Sequence, residues 1–225
     1  MEIEVLEGVF DANEIIAGKN RAILDGCGAF MVNVMASPGA GKTSVILKTL
    51  AGVAGGLSCV VVEGDIAGKI DSERIAETGV PAIQINTGGS CHLEARQVNT
   101  ALERLDLDGV DLVMVENVGN LVCPAEFRLG EDRKVMILSV AEGHDKPLKY
   151  PLMFSESDVL LVNKIDLLPY TDFDIDNLKE TVRKMNPRIR IFEISCRTGE
   201  GIDEWVVWLK EQVEKRDNDE GKAED

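Results

Sequence analysis

Residues 36–44 read ASPGAGKTS, an order of residue types that could hold a polyphosphate. Gly39 and Gly41 let backbone N–H groups converge on phosphate oxygens without side-chain obstruction, with Ala40 and Ser44 completing the binding loop. Lys42 can reach β- and γ-phosphates, and the Thr43 hydroxyl can ligate Mg2+. Ala36 stands where the first glycine of the P-loop pattern is usual, but the phosphate-contacting positions are intact. A glycine-rich turn with a chance lysine is the alternative. An apolar run before the loop and a helical pattern after it argue against that, because a helix N-terminus aimed at the loop is what binds anions.

Residues 163–166 read NKID and follow the apolar run VLLV. The Asp166 carboxylate can accept two hydrogen bonds from the N1–H and exocyclic amine of guanine, a donor pair adenine lacks. Asn163 can brace the loop and the Lys164 stem can cover a base. Alone the tetrapeptide is weak; downstream of a phosphate loop it points to GTP and GDP. The segment Ser195-Cys196-Arg197-Thr198-Gly199-Glu200-Gly201 resembles the SAKTGEG loop of GTPases, whose backbone contacts the guanine carbonyl. Cys196 then reads as a small residue near the base and not as a metal ligand.

Two acids follow the second apolar run: Asp65, placed to hold Mg2+, and Asp71, placed to orient an attacking water. Either could instead be a solvated loop acid or a helix cap. Glu116-x-x-Gly119 sits where many GTPases have DxxG, so Glu116 is expected to support Mg2+ and the Gly119 N–H to sense the γ-phosphate. Lys42, Asp65, Asp71, Glu116 and Gly119 are the candidate catalytic set. No glutamine or arginine finger is evident, so intrinsic turnover should be slow.

Cys91 and His92 are adjacent, and Cys123 lies four residues after Gly119. Thiols and imidazole suit Zn2+ and Ni2+. Three ligands leave a tetrahedral site incomplete, which a two-fold dimer could complete. By residue type alone, buried cysteines and a helix-capping histidine remain an equal alternative. The closeness of Cys123 to Gly119 favours ligation, since nucleotide state could then set its reach. His144 has no partner nearby in sequence and reads as a loop residue.

These side chains need elements to position them. Apolar runs at 29–35, 59–62, 81–86, 111–116, 135–140, 158–163 and 189–194 read as strands. Helical stretches fall at 11–26, from the phosphate loop to about 57, and at 72–78, 92–105, 175–185 and 202–215. Alternation of the two predicts an α/β P-loop NTPase fold: a three-layer sandwich with a mostly parallel sheet and helices on both faces. The 225 residues suit a single GTPase domain over 1–216, with an N-terminal helix and a disordered acidic tail at 217–225.

The net charge of −16 argues against nucleic acid or an anionic membrane as partner. No apolar run is long enough to span a bilayer, and the acidic start lacks the look of a signal peptide, so a cytoplasmic site is expected. Five cysteines, an odd number, argue against a disulfide framework. Four of them (Cys27, Cys59, Cys91, Cys123) recur every 32 residues, but their surroundings share no pattern, so the spacing is read as coincidence.

Taken together, SPGAGKTS, EGDIAGKIDSERI, NTGGSCHLEA, ENVGNLVCPAEF, NKIDLLPY and SCRTGEG resemble the HypB family, GTPases of nickel insertion into [NiFe] hydrogenase. The resemblance covers nearly all of 8–215. Urease-maturation GTPases share the P-loop, but their metal motif is Cys-Pro-His. The resemblance implies a SIMIBI-class fold, a homodimer formed on GTP binding, and an interface metal site in which Cys91, His92 and Cys123 bind Ni2+ or Zn2+. It also implies a HypA-type metallochaperone and the hydrogenase large-subunit precursor as partners. Only the interface metal site carries over to this chain's residues. The CxxCGC motif or histidine-rich stretch of some members has no counterpart, the first cysteine being Cys27 and the first histidine His92.

Overall fold

Each of the seven apolar runs forms a strand, and the strands join in one wholly parallel sheet. The computed structural model describes residues 9–65 and 70–220. The strands are β1 (Phe30–Ala36), β2 (Cys59–Asp65), β3 (Ala82–Asn86), β4 (Leu112–Glu116), β5 (Arg133–Ser139), β6 (Val159–Asn163) and β7 (Arg190–Ile194). Their order is β3-β2-β4-β1-β5-β6-β7. Central strands buried on both faces must be apolar throughout, and every residue of β1, β4 and β6 is buried. The strand order reverses beside β1, which opens a crevice at the carboxyl ends of the sheet, where ligands bind in folds of this kind.

The helices are α1 (Val9–Cys27), α2 (Lys42–Val53), α3 (Ile70–Ala76), α4 (Ala95–Leu102), α5 (Cys123–Glu126), α6 (Lys146–Lys149), α7 (Pro151–Ser155), α8 (Ile175–Met185) and α9 (Ile202–Glu220). Side chains alternate across each strand. Val32, Val34, Met114, Ile137 and Leu161 face one side, against Ile46 and Leu50 of α2 and Trp205 and Leu209 of α9. On the opposite side, Met31, Val60 and Val113 meet Leu24 of α1 and Val98 of α4. Farther along that side, Met136, Leu138 and Leu160 meet Phe154 of α7 and Val182 of α8. The three layers are those expected of the composition and pattern.

Trp205 is fully buried, donates from Nε1 to Thr49 Oγ1 at 2.9 Å, and stacks on Trp208. Truncating such a residue costs about 3–5 kcal/mol, so this contact joins α9 firmly to α2. The far end of α9 is held by Arg216, which pairs with Asp25 of α1 at 2.7 Å. Among the described residues, no helix is long and apolar enough to cross a membrane.

Several boundaries differ from the sequence expectation. α2 stops at Val53, before Gly55-Gly56, and does not reach 57. α4 starts at Ala95 because Glu94 and Gln97 form a capping box ahead of it, which leaves His92 in a loop outside the helix. α9 continues to Glu220, four residues into the stretch read as a tail; residues 221–225 lie outside the described residues. Three short helices were not foreseen: α5, α6 and α7, opened by Pro124, Pro147 and Pro151 respectively.

Candidate functional site

The phosphate loop joins β1 to α2, with Gly41 at the N-cap of α2 and φ at +103°. A β-carbon there would lie 2.6 Å from Asn163 Nδ2, so both conformation and space call for glycine. Asn163, buried at the end of β6, donates from Nδ2 to the Ala40 carbonyl at 2.9 Å. Lys164 Nζ donates to the Gly39 carbonyl at 2.7 Å. Lys164 is the only non-glycine residue with positive φ among those described, at 64°. Such strain costs on the order of 1–3 kcal/mol and persists where surrounding contacts impose it. Here the Lys164 N–H donates to Asn163 Oδ1 at 2.8 Å, while its ammonium holds Gly39. The Asn163–Lys164 pair therefore braces the loop as well as bordering the base region.

Beside the loop is a cavity of about 610 Å3, lined by Ser44, Lys48, Asn163, Lys164, Asp166 and Cys196 among others. Its size suits a nucleoside. Asp166 Oδ1 accepts from Ser195 Oγ at 2.6 Å, and Arg197 Nη1 lies 3.8 Å from Asp166 Oδ2. The Cys196 N–H donates to Asn163 Oδ1 at 3.4 Å. Burial pushes the Cys196 thiol up to about 11, so it lines the cavity as a neutral group.

Thr43 and Glu116 meet at the other end of the loop, where Thr43 Oγ1 donates to Glu116 Oε1 at 3.0 Å. Both are buried, and a hydroxyl beside a carboxylate is a hard-oxygen set that fits Mg2+. Asp65 ends β2 and Asp71 lies in α3, but both side chains are outside the described residues. Glu63, two residues before Asp65, is buried and stands opposite Glu116 in the register of β2 and β4. Its placement beside a second carboxylate becomes visible only once those strands are paired.

The ligand atoms of Cys91, His92 and Cys123 all lie within 4.8 Å of one another. Cys91 Sγ is 3.1 Å from Cys123 Sγ and 3.5 Å from His92 Nδ1. Two thiols and an imidazole form a donor set for Zn2+ or Ni2+ with a coordination position left over. The hydrogen bond with Cys91, followed by burial, raises the Cys123 thiol above its ordinary value. Burial lowers the His92 imidazole, opposed by the charges of Glu94 and Glu126, and so favours the neutral form that ligates metal. The His92 ring stacks on Phe127 with centroids 4.1 Å apart.

The supports of this cluster come from the sheet. Cys123 opens α5, which the buried Lys134 of β5 holds by donating from Nζ to the Ala125 carbonyl at 2.8 Å. The Leu93 N–H, next to His92, donates to Asn117 Oδ1 at 3.0 Å, and Asn117 Nδ2 donates to Asn33 Oδ1 of β1 at 3.1 Å. Between the two sites, Gly119 packs on the phosphate loop: a β-carbon there would come within 3.0–3.1 Å of Pro38 atoms. Asn120 follows, donating its backbone N–H to the Ala36 carbonyl at 2.8 Å. Neither Asn120 nor the hydrogen bond of Ser37 Oγ to the Glu142 carboxylate was singled out from sequence. The ENVGN stretch was informative, but asparagine alone carries no signature of ligation.

The remaining residues fall elsewhere. His144 Nδ1 accepts from the Asp174 N–H at 3.1 Å, an ordinary loop tie. Cys59 is buried in β2 with its thiol raised to about 11 by that burial, and Cys27 ends α1. The 32-residue recurrence thus places Cys27 and Cys59 in unrelated settings and brings only Cys91 and Cys123 together.

A parallel sheet with this loop between its central strand and α2 defines a P-loop nucleotide-binding protein. Residues 30–193 match the CobW/HypB/UreG nucleotide-binding domain. The chain is 47% identical over 212 residues to the hydrogenase maturation factor HypB of Escherichia coli K12, covering 94% of this chain and 72% of that protein. It is 37% identical to the hydrogenase/urease maturation factor HypB of Helicobacter pylori, covering 96% and 90% respectively. The crystal structure of Helicobacter pylori HypB in complex with nickel superposes with a TM-score of 0.86 at 36% identity, covering 91% of this chain and 96% of that one. The chain belongs to the HypB hydrogenase maturation factors of this family, which are GTP-binding P-loop proteins.

Proposed function

We propose that this protein hydrolyses GTP and uses its nucleotide state to take up and release nickel for [NiFe] hydrogenase. The observation that carries this reading is the Cys91–His92–Cys123 cluster, within 4.8 Å atom to atom, beside the loop that holds Gly119. The nickel-bound relative supports the choice of metal; the same donor set also suits Zn2+.

In this reading the loop N–H groups of Gly39–Ser44 and the Lys42 ammonium bind the phosphates, and Asp166 selects guanine, with Asn163, Lys164, Ser195 and Cys196 shaping the base pocket. Thr43, Asp65 and Glu116 would hold Mg2+, which when bound neutralises charge on the β- and γ-phosphates. Asp71 orients the water that attacks the γ-phosphorus, the bridging bond to the β-phosphate breaks, and GDP and phosphate leave. Without a supplied arginine, turnover is slow.

The Gly119 N–H binds the γ-phosphate. Its loss releases the loop packed on Pro38 and shifts Cys123. The open coordination position favours a homodimer formed on GTP binding, in which two copies pool ligands at a two-fold interface. A HypA-type metallochaperone and the hydrogenase large-subunit precursor are the proposed partners, in the cytoplasm. The Helicobacter pylori relative, a hydrogenase/urease maturation factor, favours a second recipient, urease; capture of tagged precursors by the nickel-loaded protein would separate the two.

A nucleotide switch works only if the two states bind metal differently. Nickel affinity measured with GDP and with a non-hydrolysable GTP analogue should differ, together with oligomeric state. Equal affinities and an unchanged oligomer would overturn the reading.

A further inference from the structure

Asn120 touches both sites. Its backbone N–H donates to the carbonyl of Ala36, the residue where β1 runs into the phosphate loop, at 2.8 Å. Its side-chain Nδ2 donates to the carbonyl of Cys91 at 3.2 Å, and its Oδ1 accepts from the Val122 N–H, beside Cys123, at 2.8 Å. One carboxamide therefore fixes the backbone of one thiol ligand and that of the other ligand's neighbour. Its own main chain is tied to the phosphate loop and follows Gly119, which lies against Pro38.

We infer that Asn120 is the positioning residue that couples the two sites: its side chain holds Cys91 and Cys123 in register with the nucleotide loop, so that a displacement at Gly119 changes both thiols together. This rests on the nucleotide-gated metal reading above. Asn120 is not placed as a ligand to metal or to nucleotide. Its contribution is read in the difference between states, as a change in the nickel affinity of one state relative to the other. By linkage the same coupling must appear in both directions, in metal affinity set by nucleotide and in nucleotide affinity set by metal.

The test uses the full chain as wild type, Asn120→Ala and Asn120→Asp, with Ni2+ as the probe, titrated with GDP and with a non-hydrolysable GTP analogue. Asn120→Asp keeps an acceptor for Val122 and removes the donor to Cys91, so it also serves if the alanine variant folds poorly. The expected result is that both variants bind each nucleotide as wild type does, while the ratio of nickel affinities between the two states falls toward one by about threefold to tenfold, the worth of one or two amide hydrogen bonds. The effect of bound Ni2+ on GTP-analogue affinity should shrink by the same factor. A wild-type ratio retained in both variants would overturn the role of Asn120. A ratio of one already in the wild type would overturn the gated reading itself, so the two failures are distinguishable.

Discussion

The sulfurs of Cys91 and Cys123 lie 3.1 Å apart although 32 residues separate them in the chain. Binding a metal ion between them must displace thiol protons, and the Cys123 thiol is held above its ordinary value by that contact and by burial. His92, lowered below the ordinary 6.5, is already neutral at about pH 7 and adds no proton to displace there. Nickel affinity should therefore rise with pH from about 6 to 8.5, and competition titration would follow it. Cys91→Ser or Cys123→Ser should lower that affinity by about 100-fold or more, beyond the 10–100-fold typical of losing an outer-shell partner, while GTP binding is retained.

Thiol chemistry provides a second check. Cys59 and Cys196 are both pushed up to about 11, so little thiolate is present at about pH 8 and alkylation should be slow. Cys91 is exposed and should label first. In metal-free protein, diamide should form a Cys91–Cys123 disulfide, and nickel should suppress it. Peptide mass spectrometry reads both outcomes; rapid labelling of Cys196 would contradict its placement.

Base selection is testable at Asp166. Replacing its carboxylate removes two charge-assisted hydrogen bonds, each worth about 1.5–3 kcal/mol, so Asp166→Asn should weaken GTP binding by about 100-fold or more. Xanthosine triphosphate, with a carbonyl in place of the exocyclic amine, should recover binding to the variant. Fluorescent-nucleotide displacement would measure both.

Gly41→Ala should fail twice. The backbone at φ +103° is unfavourable for alanine, and the new methyl meets Asn163 Nδ2 at 2.6 Å. The variant should lose on the order of 1–3 kcal/mol of stability in a denaturant titration. Its GTP affinity should fall further, because Asn163 is displaced from Ala40. Unchanged binding would count against the phosphate assignment.

Strand positions were legible because a strand buried on both faces leaves an unbroken apolar run, as in FMVNVMA of β1. The P-loop and NKID were legible because their chemistry is local. Helix ends were less so: Glu94 and Gln97 decide where α4 begins, and their reciprocal bonds outweigh the apolar periodicity that extended the helix back to His92. Short helices such as α5 are set by Pro124 and by Lys134 reaching across from β5, a contact without a sequence period. The pairing of Glu63 with Glu116 and the role of Asn120 depend on register and on a close approach between loops. Neither is encoded by residue type at fixed spacing.

Both of the chain's tryptophans, Trp205 and Trp208, sit stacked together on α9, and the indole of Trp205 is bonded to Thr49 of α2, the helix that begins at Lys42. Among the described residues, the Cys91–His92–Cys123 cluster has, by contrast, only the stack of His92 on Phe127 as an aromatic contact. Intrinsic fluorescence of this protein should thus serve as an optical gauge of the phosphate-loop helix, expected to respond to unfolding and to nucleotide binding. Nickel bound by Cys91 and Cys123 should appear in a different spectral channel, thiolate charge-transfer absorption, so the two events should be separable in one cuvette without attaching a dye.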